Sequence, residues 1–210
     1  MKNLFTMAFL LLTAAACAQQ VTTLPQPDMK RKTLTVMQTF KERHSERSYN
    51  ERMLSQQDLS DLLWAAQGKN REDGRLTAPT ARNMQEIRMY VFTAEGVQYY
   101  DPQQHTLTKV ADGDHRDIVA GRQDFAKAAP VSLVLVADME KYGSDSQHAQ
   151  WMTSVDVGIV SQNIDIFCAA AGLNTVPRGT MDQKAIQQLL GLSEKQIPII
   201  NNPVGYPVGK

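Results

Sequence analysis

The stretch SVDVGIVSQNIDIFCAAAGLNTVPRG, residues 154–179, decides the fold of this chain. Its apolar residues leave almost no polar face on a helix, which predicts a helix that is central and buried on nearly every side. Gly172 is a typical helix stop, and residues 173–176 then predict a short strand. Gly158 and Ser161 share one line along the helix, so a second helix, or the same helix of a second subunit, could approach closely. Taken alone, the stretch favours an ordinary core helix whose polar residues are satisfied by neighbours.

The composition of the whole chain excludes some classes of function. Its 210 residues include 22 Lys and Arg and 22 Asp and Glu, so the formal charge is zero, and no basic stretch resembles a nucleic-acid-binding surface. The length suits one large domain or two small ones. Because the predicted strands combine hairpins with crossovers, we expect one α+β domain.

The first 18 residues have the composition of a signal peptide. A short basic start, residues 1–3, precedes an apolar run at 4–12 and a small-residue exit at 13–18. The apolar run is too short to span a bilayer comfortably. We therefore expect export, and we exclude this segment from the folded domain.

Two ways of processing this leader stay open. A small-x-small pattern fits cleavage before Gln19, whereas the three alanines before Cys17 resemble a lipoprotein signal in which Cys17 carries a lipid anchor. The mature protein is then either periplasmic or a membrane-anchored lipoprotein. Residues 19–31 predict an extended tether, and residues 32–210 predict the folded domain.

Hydrophobic periodicity predicts the remaining elements. Helices are expected at residues 32–41, 55–67, 114–127 and 182–190, and strands at 87–93, 96–100, 106–110, 131–137 and 197–200. The strand at 131–137 is almost wholly aliphatic and should lie in the middle of the sheet. The helix at 32–41 carries an apolar face of Leu34, Met37 and Phe40. Thr80 is the natural N-cap of a short helical turn.

Several kinds of catalytic site are excluded by motifs that the sequence lacks. The four histidines are isolated from one another, and there is no CxxC, GxSxG, GxGxxG or GKS/T motif, so no metal site, hydrolase triad or phosphate loop is predicted. Arg43, Ser45 and Arg47 alternate, so in an extended segment all three could face one side and bind a phosphate. The alternative for these three residues is a solvated charged turn.

Four short blocks, in order and at plausible spacing, resemble the FMN-dependent nitroreductase family, including its branch related to flavin-dependent peptide azoline dehydrogenases. The blocks are RHSER at 43–47, APTARNMQ at 78–85, a run from Asp156 through Gly158, Gln162, Asn163 and Gly172 to Gly179, and VGYP at 204–207. The resemblance extends from about Thr33 to the C-terminus. Glu86 departs from it, because the family usually has proline at that position.

The resemblance implies an α+β fold with a mostly antiparallel central sheet flanked by helices, and a homodimer with FMN at the subunit interface. Carried over residue by residue, it also implies a cofactor site with several parts. The residues are Arg43, Ser45 and Arg47 for the phosphate and ribityl chain, Pro79, Thr80, Asn83 and Gln85 for the isoalloxazine ring, Arg178 and Gly179 for the region of the reactive flavin nitrogen, and Lys210 to complete the phosphate site.

The function implied is that of an exported FMN-dependent oxidoreductase, which passes a hydride or electrons through FMN to a small organic acceptor. Because the flavin carries the chemistry, no catalytic side chain is expected. Two alternatives stay open. One is an exported flavin-binding or ligand-binding protein without turnover, since pools of NADH and NADPH are cytoplasmic. The other is a flavin-dependent dehydrogenase that does not act on nitro compounds.

Overall fold

The structure is a computed structural model that describes residues 20–209. The predicted signal peptide, including Cys17, and the predicted cofactor contact Lys210 lie outside the described residues. Within residues 20–209, seven strands and six α-helices are joined by loops and two short 3₁₀ turns. No helix in this range combines the length and the apolar character that a bilayer crossing requires.

The elements follow one another along the chain as separate hairpins, crossovers and helices. The strands are β1 (Val21–Thr23), β2 (Ile87–Thr93), β3 (Gly96–Asp101), β4 (Thr106–Asp112), β5 (Val131–Asp138), β6 (Asn174–Thr175) and β7 (Gln196–Gly205). The helices are α1 (Val36–Glu42), α2 (Gln56–Gln67), α3 (Arg116–Ala120), α4 (Met139–Tyr142), α5 (Gln147–Ala171) and α6 (Gln183–Leu190). The 3₁₀ turns are Ala81–Asn83 and Asp124–Ala126.

The seven strands form one sheet in the order β1-β4-β3-β2-β5-β7-β6, and every neighbouring pair is antiparallel. The predicted aliphatic strand is β5, which lies in the interior of the sheet between β2 and β7 and is buried along its whole length. The predicted hairpin is the β3–β4 pair. These findings confirm the predicted α+β class and its antiparallel sheet.

Residues of β5 alternate between two cores, one on each face of the sheet. Leu133 and Leu135 pack with residues of α2 and α5, whereas Val134 and Val136 pack with residues of α3 and α6. This division follows from the period of two in a strand, because successive side chains point to opposite faces. Each fully buried aliphatic side chain contributes about 1.5–3 kcal/mol to stability.

Helix α5 is longer than the stretch from which it was predicted. It begins at Gln147, where the hydroxyl of Ser146 accepts the N–H of Ala149 (3.2 Å), and it ends at Gly172, whose φ is +72°. The long helix against the sheet and its glycine stop are confirmed. Burial on nearly every side is wrong for the single chain, since Val155 is 42% exposed and Ser154 and Gln162 are exposed as well.

Helix α1 also presents an apolar surface to the outside. It is shorter than predicted and begins after Thr35, whose side chain caps it. Val36, Met37 and Phe40 are 71%, 77% and 58% exposed, so the apolar face predicted for this helix is not buried within one chain. We refer to Val36, Met37 and Phe40 as the α1 face.

The helix predicted at residues 114–127 is wrong, because the structure breaks it in two. Helix α3 ends at Gly121, which has a φ of +58°, and only a 3₁₀ turn follows. A left-handed residue cannot continue a right-handed helix, and glycine adopts that conformation at little steric cost. The final strand also differs from the prediction, since β7 continues five residues beyond Ile200 to Gly205.

The predicted tether at residues 19–31 is corrected for the part that the structure describes. Its first residues form β1, which pairs with β4, and Leu24 is only 3% exposed. Further along, Asp61 of α2 accepts both the backbone N–H of Asp28 and the guanidinium of Arg31, each at 2.9 Å. This segment is therefore packed against the domain and is part of it.

Candidate functional site

The segment after α1 begins as extended backbone at Arg43 and passes beside the edge of the sheet. Arg43, the last capping residue of α1, has φ −63° and ψ 116°. The N–H of Glu46 donates to the carbonyl of Thr175 in β6 at 2.9 Å. Further along, the hydroxyl of the buried Tyr49 donates to the carbonyl of Glu46 at 2.9 Å. The segment is thereby tied to β6 at one point and to its own continuation at another.

Alternate side chains of residues 42–46 line one cleft. Glu42, His44 and Glu46 line a cleft of about 460 Å³ at the C-terminal end of α5. Regular alternation along extended backbone would place Arg43, Ser45 and Arg47 on the other side. The backbone therefore allows the shared orientation that the spacing of these three residues predicts.

The alternating residues are not engaged elsewhere in the chain. Within residues 20–209, the side chains of Arg43, Ser45 and Arg47 make no hydrogen bond or ion pair. Two guanidinium groups and a hydroxyl are thus available to an anionic ligand, and each charge-assisted bond contributes about 1.5–3 kcal/mol. Burial raises the pKa of Asp165 to about 6, although the nearby charge of Arg43 and a hydrogen bond from Asn202 both lower it.

Arg178 lies close to Arg47 but is engaged in a different way. The guanidinium carbons of Arg47 and Arg178 are 5.9 and 5.4 Å from the centre of the same Phe125 ring. The structure therefore brings two of the predicted site residues together. Burial lowers the pKa of Arg178, and the side chain is only 6% exposed.

The guanidinium of Arg178 is occupied by hydrogen bonds within the protein. Its acceptors are the side chains of Gln123 (2.8 Å) and Asn201 (2.8 Å) and the carbonyls of Val119 (3.4 Å) and Ala120 (2.7 Å). The backbone of Arg178 is also paired with Asn201 in both directions. This side chain fixes the loop that carries Gly179 and has little capacity left for a ligand.

Gly179 itself is exposed and borders an open cleft of about 1030 Å³. A Cβ built at this position would meet only the carbonyl of Ile199, at 4.0 Å. Nothing in the described chain therefore requires glycine here, either for packing or for a left-handed conformation. The missing side chain leaves room for a ligand to approach the backbone, which is a recognised use of glycine.

The segment at residues 78–85 is strained. Arg82, Asn83 and Gln85 have φ values of +54°, +56° and +50°. Non-glycine residues in this region cost about 1–3 kcal/mol each, and such strain is concentrated at functional sites. Pro79 and Asn83 are exposed, whereas Thr80 and Gln85 are half-buried.

Hydrogen bonds from several elements hold this strained segment in place. The backbone N–H of Ala81 donates to Asp156 of α5 at 2.8 Å, and the N–H of Gln85 donates to the hydroxyl of Thr80 at 2.8 Å. Thr80 therefore accepts from Gln85, and the predicted N-cap hydrogen bond is not formed. The amide of Gln85 donates to the carbonyl of Gly74 (3.0 Å) and accepts from Gln103 (3.0 Å), so it positions the segment.

Helix α5 lies beside both the 43–47 block and the 78–85 block, but at two different positions along its axis, which we call the two levels of α5. The 78–85 segment contacts Asp156, whereas Arg43 lies near Asp165, which is nine residues further along the helix. At 1.5 Å per residue this separation is about 13–14 Å along the helix axis. A single chain therefore brings Arg47 and Arg178 together, but it places Arg43 and the 78–85 segment at separate levels.

Sequence reasoning missed two residues of this region. Phe125 lies close to both Arg47 and Arg178, and its only signal was an aromatic residue in the polar segment at 122–127. Glu86 is fully buried directly after the strained segment, and its only signal was the departure from proline. Within the described residues, no group of three or more His, Cys, Asp and Glu side chains is arranged to hold a metal ion.

The same chain matches known proteins over most of its length. The Nitroreductase family profile matches residues 40–206. The chain belongs to the nitroreductase family. All four sequence blocks fall within or overlap the matched range, and the family membership makes the protein an oxidoreductase of nitroreductase type.

Individual members of the nitroreductase family are similar to this chain in sequence and structure. A candidate nitroreductase of Methanocaldococcus jannaschii is 30% identical over 179 residues, covering 79% of this chain and 88% of its own length. The crystal structure of a candidate nitroreductase from Ralstonia eutropha has a TM-score of 0.83 and 33% identity, covering 90% of both chains. A nitroreductase family protein from Clostridium difficile shares the fold, with a TM-score of 0.62 at 19% identity over 84% of this chain and 87% of its own.

Proposed function

We propose that this nitroreductase-family protein binds FMN and uses it to pass a hydride or electrons to a small organic acceptor. The observation that carries the proposal is the set of unengaged side chains of Arg43, Ser45 and Arg47 within one five-residue segment. Guanidinium forks and hydroxyls are the donors that suit a phosphate. When bound, FMN supplies the electron-transfer chemistry.

The protein's own residues would bind and orient the cofactor. Arg43, Ser45 and Arg47 would hold the phosphate end, and the exposed backbone at Gly179 would approach the ring. Pro79, Thr80 and Asn83 would contact the ring from the strained segment, which Gln85 holds in shape. Arg178 would act through the loop it fixes, and Lys210 stays a predicted contact at the phosphate.

We also propose that the protein is a homodimer with FMN at the subunit interface. The exposed α1 face and the exposed Trp151 and Val155 of α5 support an interface, because apolar patches of this kind mark interaction sites. The separation of about 13–14 Å between the two levels on α5 supports a site completed by the partner chain. The open space beside Gly158, where an added Cβ would meet nothing within 4 Å, agrees with close helix approach.

Export is a further part of the proposal and depends on residues 1–18. Their basic, apolar and small-residue order supports a signal peptide, with Cys17 either removed or lipidated. The mature protein would then be periplasmic or held at a membrane by its lipid. Its electron donor would have to be one that is present in that compartment.

A flavin-binding protein without turnover is the second candidate function, favoured by the proposed export away from the NADH and NADPH pools. A flavin-dependent dehydrogenase with no nitro substrate is the third. An absorption spectrum of the purified protein, followed by mass identification of the released chromophore, tests for FMN. Bleaching by a reductant and recovery on adding an acceptor would indicate turnover, whereas chromophore that stays oxidised would favour the binding protein.

The phosphate assignment is tested by Arg43→Ala. Loss of one charge-assisted contact of about 1.5–3 kcal/mol should weaken FMN affinity roughly tenfold to one hundredfold while the protein stays folded. Titration of the flavin-free protein with FMN, followed by fluorescence quenching, measures this affinity. Arg75→Ala is the matched control, because Arg75 is an exposed arginine paired with Asp73 in another loop. Unchanged affinity in the Arg43 variant would contradict the assignment.

A further inference from the structure

Glu86 carries a carboxyl group in an environment that does not accommodate its charge. The residue is fully buried, and neither carboxyl oxygen has a hydrogen-bond donor among the described residues. A buried carboxylate without a donor or a counter-charge is strongly unfavourable. Protonation of Glu86 removes this charge and supplies an O–H donor.

The partner that a protonated Glu86 finds is Asp156 of α5. The two carboxyl groups lie side by side within hydrogen-bonding range, and Asp156 is itself only 3% exposed. Asp156 also accepts the backbone N–H of Ala81 at 2.8 Å. Two carboxylates in contact repel each other, whereas one shared proton turns the same contact into a strong hydrogen bond.

The charged groups around this pair are engaged with other partners. Lys141 of α4 donates to the carbonyl of Gln85 at 2.6 Å, and Asp138 at the end of β5 accepts from Arg88 at 2.6 Å. Within residues 20–209 no lysine or arginine forms an ion pair with Glu86 or Asp156. Burial, reinforced by Asp156, raises the pKa of Glu86 to about 7.

We propose that Glu86 is a positioning residue, and that the proton it shares with Asp156 holds the strained 80–85 segment against α5. The shared proton joins the end of the segment at Glu86 to the same carboxyl group that binds its beginning at Ala81. Both ends of the segment are thereby attached to the side chain of Asp156. This inference rests on the proposed function, because the segment is the one that would contact the flavin ring.

The direction of the pH dependence follows from the raised pKa. A carboxyl whose pKa is higher in the folded than in the unfolded protein stabilises the fold at low pH, and this contribution is lost as pH rises through the folded value. Above about pH 7 the proton leaves to solvent, and the two carboxylates repel each other. The strained residues Arg82, Asn83 and Gln85 are then held less firmly.

The experiment compares the native protein with Glu86→Gln, whose amide can donate to Asp156 at every pH. Hydrogen–deuterium exchange of the amides at 81–85, corrected for the intrinsic pH dependence, is measured at pH 6 and pH 8. We expect exchange in the native protein to be about tenfold faster at pH 8, since one pH unit above a pKa gives about a tenfold excess of the charged form. In the variant it should be the same at both values.

Flavin affinity provides a second measurement, which should also show a weaker hold on the segment at high pH. It should fall several-fold from pH 6 to pH 8 in the native protein and by less in Glu86→Gln, where the titration of Asp165 beside Arg43 remains. Asp165→Asn is the matched control, because Asp165 is a buried carboxyl with a raised pKa at the other level of α5. That variant should retain the native pH dependence of exchange at 81–85.

The outcomes separate this inference from the proposed function. If neither the native protein nor any variant binds FMN, the proposed function fails. Hydrogen–deuterium exchange at 81–85 still decides whether Glu86 and Asp156 share a proton. If FMN binds but Glu86→Gln keeps the native pH dependence in both measurements, the inference is overturned alone. Glu86→Leu, an apolar replacement of similar size, covers the case in which the glutamine variant does not fold, and it should also abolish the pH dependence.

Discussion

Two arginines near one aromatic ring show how differently the same residue type is used in this protein. Arg47 is exposed and has no polar partner among the described residues, whereas Arg178 is buried and makes four hydrogen bonds. Both face Phe125. The resemblance to the family implied that both arginines belong to one cofactor site, but only Arg47 has an unengaged guanidinium among the described residues, whereas that of Arg178 holds the loop before Gly179.

This contrast leads to a prediction with a matched pair of variants. Arg178→Met should lower the free energy of unfolding by about 3 kcal/mol or more, because it leaves several buried acceptors without a donor. Arg47→Met should change it by less than about 0.5 kcal/mol, as is usual for exposed positions. Urea unfolding followed by circular dichroism measures both. Equal stability of the two variants would show that the hydrogen bonds of Arg178 contribute little.

At the scale of elements, the segment before α1 belongs to the fold. The N–H of Leu24 donates to the carbonyl of His105 at 3.2 Å, and its side chain is buried in the core that α2 and α5 share. Arg31 contacts Asp58 and Asp61 of α2 and lies over the ring of Phe167 in α5. The segment thus connects one edge of the sheet to the helices on its face.

A second pair of variants tests this packing. Leu24→Ala should cost about 2–3 kcal/mol of unfolding free energy, since truncating a buried leucine removes apolar contacts and leaves a cavity. Val21→Ala, at a neighbouring position that is 58% exposed, should cost less than about 0.5 kcal/mol. Thermal or urea unfolding of both proteins provides the comparison. A loose tether would instead make the two variants indistinguishable from the native protein.

Local patterns predicted most elements but not their partners. Strands β2 and β5 and the ends of α2, α5 and α6 were predictable, because alternation and glycine stops are properties of a few neighbouring residues. The break at Gly121 was not, since a glycine alone lowers helix propensity by only about 1 kcal/mol. The burial of Leu24 and the bonds of Arg178 depend on residues far along the chain, which no local pattern contains.

At the scale of the whole molecule, the single chain leaves apolar surface uncovered. The α1 face lies on a helix that packs near the C-terminal end of α5, while Trp151 and Val155 lie near the other end of α5. The sequence at residues 154–179 predicts a helix that is buried on nearly every side, but one chain covers only part of its surface. A second copy of the chain would reconcile the sequence pattern with the observed exposure.

The dimer is tested by placing charges on the α1 face. The double variant Met37→Glu, Phe40→Glu should dissociate the dimer, because burying two unpaired carboxylates in an apolar interface is strongly unfavourable. It should also lose FMN. Sedimentation velocity measures the oligomeric state, and Val21→Glu is the control on the opposite edge of the sheet. A native protein that sediments as a monomer would contradict the proposal.

The separation of Arg43 and the 78–85 segment along α5 has a consequence for mixtures of two variant chains. If each pocket takes Arg43 from one chain and the 78–85 segment from its partner, a chain lacking the first and a chain lacking the second are each inactive as homodimers. Mixed dimers of the two would contain one pocket with both defects and one pocket with none. Recovered flavin binding on mixing would therefore show that the two halves of each pocket come from different chains, with at most one occupied pocket in each mixed dimer.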